Sequence, residues 1–253
     1  MQTSSTRYRD EYDTALVAQW DDLLGWSDRR AAEGSFLVDV LSARRVRSVL
    51  DTATGTGFHA VLLSQAGFAV TAIDGAAEMV EQARRNVATL AAGAVPCALG
   101  DWLDHGSLPA GPFDAVICMG NSIAHLFSPA DLERALSNFR RLLGDGGTLV
   151  LDHRNYDALR AGRISAQDRT YCCTGLKASV DLSVVERDVV DITYQTAGHP
   201  PATIRTRAWA TDDVGAAIRA SGFGAPILYG PRGVGFDPHG SEFVIHVATA
   251  AKR

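Results

Sequence analysis

Residues 51–60 read Asp-Thr-Ala-Thr-Gly-Thr-Gly-Phe-His-Ala and follow a short apolar run over 46–52. Gly55 and Gly57 stand where that run gives way to a helical pattern. Such a junction forces the chain to leave a strand, turn sharply and open a helix, with bare backbone for a ligand to approach. The next apolar run, 69–74, ends on Asp74, 19 residues after Gly55. A carboxylate there can accept hydrogen bonds from two ribose hydroxyls. This unit constrains the chain to an open α/β sheet with its ligand at the carboxyl ends of the strands.

The remaining pattern extends the same architecture. Helical spacing is expected over 60–65, 77–90 and 129–143, and strands over 95–101, 113–120 and 147–154. Near-continuous apolar strands separated by helices describe a parallel sheet buried on both faces. From about residue 161 the character changes, with period-two alternation over 171–195 and 204–210. Alternation of that period predicts antiparallel strands with one solvated face. A helix over 212–221 and strands over 225–229 and 242–250 then return to the core. The expected fold is α/β and Rossmann-like: seven mostly parallel strands flanked by helices, with an antiparallel insertion, 161–210, capping the site.

Composition narrows the partners. The 253 residues carry 24 basic and 29 acidic side chains, a formal charge of −5, and basic pairs such as Arg44-Arg45 and Arg140-Arg141 are scattered. Nucleic acid wants a clustered basic face, so none is expected as partner. Cys97, Cys118, Cys172 and Cys173 have no metal-ligand spacing, and no metal site is expected. The first twenty residues hold no signal-type apolar core, and no run approaches the ~20 apolar residues a bilayer span needs. A reducing cytoplasm and no membrane are the resulting expectations. Oligomeric state is not legible.

The glycine turn alone fits two ligands, since Gly55-x-Gly57-x-x-Ala60 also satisfies a loose dinucleotide fingerprint. A phosphate-binding P-loop is excluded because no Lys-Ser/Thr follows the glycines. Asp51 lies inside the strand end, where a buried carboxylate suits a cationic ligand better than a pyrophosphate. Asp101-Trp102, after the third strand, offers an acceptor for an adenine amino group and an aromatic face for its ring. Both favour S-adenosylmethionine, which carries a sulfonium and an ammonium and no phosphate.

Taken together, Asp51-Thr-Ala-Thr-Gly-Thr-Gly57, Val70-Thr-Ala-Ile-Asp74, Phe113-Asp-Ala-Val-Ile-Cys-Met-Gly-Asn-Ser-Ile-Ala-His-Leu126 and Leu151-Asp-His-Arg-Asn-Tyr-Asp157 resemble the glycine N-methyltransferase family. The tail Glu242-Phe-Val-Ile-His-Val247 fits as well. The resemblance implies an S-adenosylmethionine-dependent class I methyltransferase divided into a cofactor lid (1–34), a core (35–160), the cap (161–210) and a core tail (211–253). It implies that Tyr12, Trp20 and Arg30 close over the cofactor, with the Arg30 guanidinium on the methionine carboxylate. Ala53, Gly55 and Gly57 would line the methionine end, Asp74 the ribose, and Met79, Asp101 and Trp102 the adenine, with Met119 and His125 completing the cofactor site. Asn121, Arg154 and Tyr194 would orient the acceptor and carry the catalytic role.

The family has tyrosines at three cap positions. Here Tyr194 matches, whereas Cys172 (beside Tyr171) and Trp209 replace the others. That exchange removes polar groups and adds a flat wall, pointing to a planar nitrogen heterocycle such as an azapteridine precursor of toxoflavin-type toxins. Glycine or sarcosine is the alternative acceptor. Plainer readings stand beside these: Trp209 can simply cap the core, and Arg154 can pair with Asp152 or Asp157. An NAD-dependent reductase and a non-catalytic S-adenosylmethionine-binding regulator are the more remote functions. Calorimetry separates the cofactor readings: S-adenosylhomocysteine should bind and NADH should give no heat of binding.

Overall fold

The computed structural model describes residues 5–165, 178–186, 188–196 and 199–252. Four helices lead in: α1 (Tyr8–Glu11), α2 (Thr14–Leu24), α3 (Trp26–Glu33) and α4 (Phe36–Ala43). Asp13 starts α2 by accepting the Leu16 N–H at 2.8 Å, satisfying one donor that the first turn leaves open. Gly25, at φ 60°, both ends α2 and opens α3, a left-handed conformation that suits glycine.

The sheet follows as expected from the apolar runs. It comprises β1 (Ser48–Asp51), β2 (Ala69–Asp74), β3 (Cys97–Leu99), β4 (Phe113–Cys118) and β5 (Leu143–Arg154). Between them run α5 (Phe58–Gln65), α6 (Ala77–Leu90) and α7 (Pro129–Leu142). Helix α7 carries its start in the sequence: Pro129 opens it, and Ser128 accepts the Asp131 N–H at 3.0 Å. After the short α8 (Tyr156–Arg160), β6 (Ala178–Glu186), β7 (Val189–Thr196) and β8 (Ala202–Arg207) form a separate antiparallel sheet. The chain returns through α9 (Thr211–Ala220), β9 (Ile227–Tyr229) and β10 (Phe243–Thr249).

Strand order in the large sheet is β3-β2-β1-β4-β5-β10-β9, with β10 antiparallel to both neighbours and the first five strands parallel. Order reverses between β1 and β4, so a crevice opens at their carboxyl ends. Both faces are covered. Leu41, Leu63 and Val49 belong to the core on one side, and Leu136, Phe139 and Ile218 to that on the other.

Two expectations change at this level. Period-two alternation over 171–195 resolves into two strands joined by a hairpin, and residues 171–177 lie outside the described residues, so Tyr171 and Cys172 receive no structural account. Trp209 is not a wall of the site: it is 3% exposed, beyond the end of β8, and its indole N–H donates to the Leu126 carbonyl at 3.1 Å. Arg207 stacks on the ring, its guanidinium carbon 4.1 Å from the centroid. The indole therefore supports the turn carrying His125 from behind.

A buried phenol is one of the ties between the antiparallel sheet and the core. Tyr156 is fully buried, and its hydroxyl meets the Asn121 amide at 2.9 Å and the Thr206 hydroxyl at 3.3 Å. Tyr156→Phe leaves the Asn121 amide nitrogen short of a partner, while Thr206 keeps its bond to the Val190 carbonyl, at about 1–3 kcal/mol. The melting temperature should fall by roughly 2–4 °C for each kcal/mol in a domain of this size. Differential scanning calorimetry measures it, and an unchanged transition would remove the phenol from this role.

Candidate active site

The crevice at the carboxyl ends of β1, β2, β4 and β5 is a cavity roofed by α1, α2 and the antiparallel sheet. At one end the glycine turn and β2 interlock. Asp74 accepts the Gly55 N–H at 2.8 Å and the Ala76 N–H at 3.0 Å. Burial pushes its carboxyl up to about 6 against those two hydrogen bonds. Ala53, Gly55, Met79 and Met119 line the same end. Trp102 also lines it, its ring fixed by an indole hydrogen bond to the Thr52 carbonyl at 2.7 Å. Asp101 reaches the rim, where Arg9 meets it at 2.7 Å and the Leu103 N–H at 2.8 Å.

Two of the expected cofactor residues lie beneath rather than in the cavity. Asp51 is fully buried below the glycine turn, with Oδ2 lacking a hydrogen-bond partner among the described residues. Gly57, at φ 97°, is the turn that opens α5; a Cβ there would make ordinary contact with Ala83 and Val87 of α6 at 3.4–3.6 Å, so the left-handed conformation is what favours glycine. Its role is conformational.

The roof is aromatic. Tyr12 meets His125 edge-on at 5.6 Å and Trp20 at 5.3 Å, and Trp20 meets Tyr194 of β7 at 5.7 Å. The Tyr12 hydroxyl lies 3.3 Å from His125 Nε2. Burial lowers His125 to about 4, so the imidazole is neutral at pH 7, with Nδ1 unpartnered among the described residues. Tyr8 joins this roof over Gly75, where a Cβ would fall 1.9 Å from the phenol oxygen and push the ring from its place.

Arg30 does not join the cavity. Its guanidinium donates to Gln65 Oε1 at 2.8 Å on the exposed surface, whereas the neighbouring Arg29 is 7% exposed and lines the cavity. The signal was present in the sequence: Arg29, Ala32 and Glu33 share the buried face of α3, at helical spacing. Other lining residues that the motifs did not mark are Tyr8, Phe58, His59 and Thr206.

At the far end stands Arg154, the last residue of β5. It is 6% exposed, so neither Asp152 nor Asp157 holds it at the surface as the plainer reading had it. Glu242 approaches its Nη1 at 3.9 Å, and its guanidinium carbon lies 5.1 Å from the Phe243 ring centroid. Tyr194, Ile192 and Ile204 also line the cavity. Asn121 also lines it, but its amide is committed: Oδ1 accepts the Arg154 N–H at 3.0 Å, and Nδ2 donates to Tyr156. It frames the site by holding Arg154. Among the described residues no cluster of His, Cys, Asp or Glu suits a metal ion, and no helix is long and apolar enough to cross a membrane.

Comparison with known proteins agrees with this geometry. Residues 49–147 match a family model described as a methyltransferase domain. The chain is 34% identical over 245 residues to the glycine/sarcosine N-methyltransferase of Aphanothece halophytica, covering 96% of this chain and 91% of that one. It is 32% identical over 246 residues to the glycine/sarcosine/dimethylglycine N-methyltransferase of Actinopolyspora halophila, covering 97% of this chain and 43% of that one, and so spans less than half of that relative. A solved S-adenosylmethionine-dependent methyltransferase from Clostridium acetobutylicum shares the fold, with TM-score 0.72 at 16% identity over 93% of this chain and 98% of that one. Strand order, glycine turn and cavity, with these matches, define a Rossmann-like S-adenosylmethionine-dependent methyltransferase. The chain belongs to the glycine/sarcosine N-methyltransferase family.

Asp74 gives this site a pH dependence. A carboxylate that takes up a proton near pH 6 competes with ligand hydroxyls for its own charge. S-adenosylhomocysteine affinity should be flat above pH 7 and fall toward about tenfold per pH unit below 6. Calorimetry at pH 5 to 8 measures this, and Asp74→Asn should bind weakly with a flatter profile.

Proposed function

We propose that this chain transfers a methyl group from S-adenosylmethionine to the amino nitrogen of a small amino acid of the glycine or sarcosine type. The observation that carries the reading is Arg154, a buried guanidinium at the far end of the cavity. A guanidinium can hold a carboxylate through two parallel hydrogen bonds. The relatives' amino-acid names point the same way. The planar-heterocycle reading, by contrast, loses the indole on which it leaned, since Trp209 supports the core.

The residues present fit the cofactor. Asp51 Oδ2 and Asp152 Oδ2 are buried without hydrogen-bond partners among the described residues, a floor suited to positive charge. Asp74 would take the ribose, Met79 and Trp102 the adenine, and His125, with Tyr12 and Trp20, the sulfur end. Arg29 takes the role that the resemblance gave to Arg30, holding the methionine carboxylate. When bound, S-adenosylmethionine supplies an activated methyl group on a sulfonium, so the protein need contribute neither a metal nor a nucleophile. Arg154 fixes the acceptor carboxylate and Tyr194 borders its amine, while the aromatic roof excludes water. Alignment of this kind can contribute on the order of 7–11 kcal/mol at best.

Arg154→Lys keeps the charge and loses the planar fork. Its kcat/KM for glycine should drop roughly tenfold to a hundredfold, through loss of a charge-assisted hydrogen bond, with S-adenosylhomocysteine affinity within about twofold of the parent. A radiolabelled methyl-transfer assay with glycine, sarcosine and an azapteridine checks both the variant and the substrate class. Turnover of the heterocycle alone would overturn the reading.

A further inference from the structure

Behind Arg29 lies a buried polar cluster that none of the assigned roles uses. Glu33, one turn along α3, accepts Arg29 Nε on Oε1 at 2.6 Å. Its other oxygen meets His59 Nε2, on the first turn of α5, at 2.8 Å. All three residues are under 8% exposed. An ionised carboxylate in such a place costs several kcal/mol unless both oxygens are compensated. Burial alone would raise the Glu33 carboxyl, yet Arg29 and His59 hold it at about 2.

The cluster restrains the guanidinium on several sides. Its Nε is committed to Glu33, and its carbon lies 4.4 Å from the Phe58 ring centroid. Its Nη2 edge lies against Gly120, where a Cβ would stand 3.9 Å away. His59 follows the glycine turn by two residues, so the contact ties the cofactor-binding turn to α3 of the lid. A flexible arginine must lose side-chain freedom when it grips an anion, and one already fixed has lost it in advance.

We infer that Glu33 and His59 are positioning residues that lock Arg29, and so set the preference for a nucleoside thioether bearing an amino-acid carboxylate over the same thioether without one. This rests on the reading of Arg29 as the carboxylate clamp. Glu33 does not line the cavity, and His59, which does, acts on the clamp through its hydrogen bond to Glu33.

The test titrates full-length protein with two probes, S-adenosylhomocysteine and 5′-methylthioadenosine, which share the nucleoside and sulfur but differ in the amino-acid end. Glu33→Gln should weaken S-adenosylhomocysteine about tenfold or more while leaving methylthioadenosine within twofold. His59→Phe should give a smaller loss of the same kind, and His59→Gln, which restores an N–H donor, should recover most of it. In turnover, the KM for S-adenosylmethionine should rise with kcat little changed. Equal weakening of both probes, or no change in either, by Glu33→Gln and His59→Phe alike overturns the inference. Arg29→Met separates the two layers. If it leaves the preference for S-adenosylhomocysteine intact, the clamp reading itself falls. If it abolishes that preference while the Glu33 and His59 variants keep it, only the positioning role falls.

Discussion

Asn121 makes three hydrogen bonds across the gap between β4 and β5, and the part of the cavity around Arg154 depends on them. Its backbone N–H donates to Asp152 at 2.8 Å, its side-chain oxygen accepts the Arg154 N–H, and its amide nitrogen donates to Tyr156. The residue sits at φ 65°, a conformation that asparagine tolerates better than most side chains. Parallel strands that end side by side have no ladder beyond their last residues, so their exits need such a tie. Through Tyr156 and Thr206 the tie continues into the antiparallel sheet, so one short network sets Arg154, the end of β4 and the cap relative to each other.

Much of the fold was legible because period and punctuation agreed. The runs at 69–74 and 77–90 match β2 and α6, and β4 begins where the 113–120 run begins. Site residues carried by long motifs were legible too: Ala53, Gly55, Asp74, Asn121, His125 and Arg154 all line one cavity. Failures came where a single residue of phase decides which way a side chain points. In a helix, neighbouring residues point about 100° apart, so reading Arg30 for Arg29 exchanges the exposed surface for the cavity. Trp209 failed differently. Alternation marked it as part of a strand, but β8 ends at Arg207, and beyond that end the period no longer says which way an indole faces.

The charges under the cavity explain why one glycine turn can discriminate between ligand classes. Asp51 and Asp152 are buried and Asp74 is half-buried, and desolvation raises the carboxyl pKa of each. Two of them keep an oxygen without a hydrogen-bond partner among the described residues. A pyrophosphate brought to such a floor would meet uncompensated like charge. Arg29 and Arg154 line the same cavity. An anionic floor with two guanidinium groups in the same cavity is complementary to a ligand that carries a sulfonium, an ammonium and one carboxylate.

The same dryness bears on the acceptor nitrogen. An amino acid arrives as an ammonium, which has no lone pair to give, so a proton must leave before the methyl group can be received. Around Tyr194 the walls are Ile192 and Ile204, with Phe243 beneath Arg154. Apolar walls disfavour the charged form of an amine, lowering its pKa as burial lowers that of a lysine. His125 is held neutral by the same desolvation. In the proposed reaction, then, the roof and the apolar walls act together. The roof keeps out water that would compete for the methyl group, and the walls favour an acceptor that has given its ammonium proton to solvent before it is enclosed. Arg154 keeps the carboxylate charged meanwhile, so the site separates the two ends of a zwitterion by environment instead of by a dedicated base.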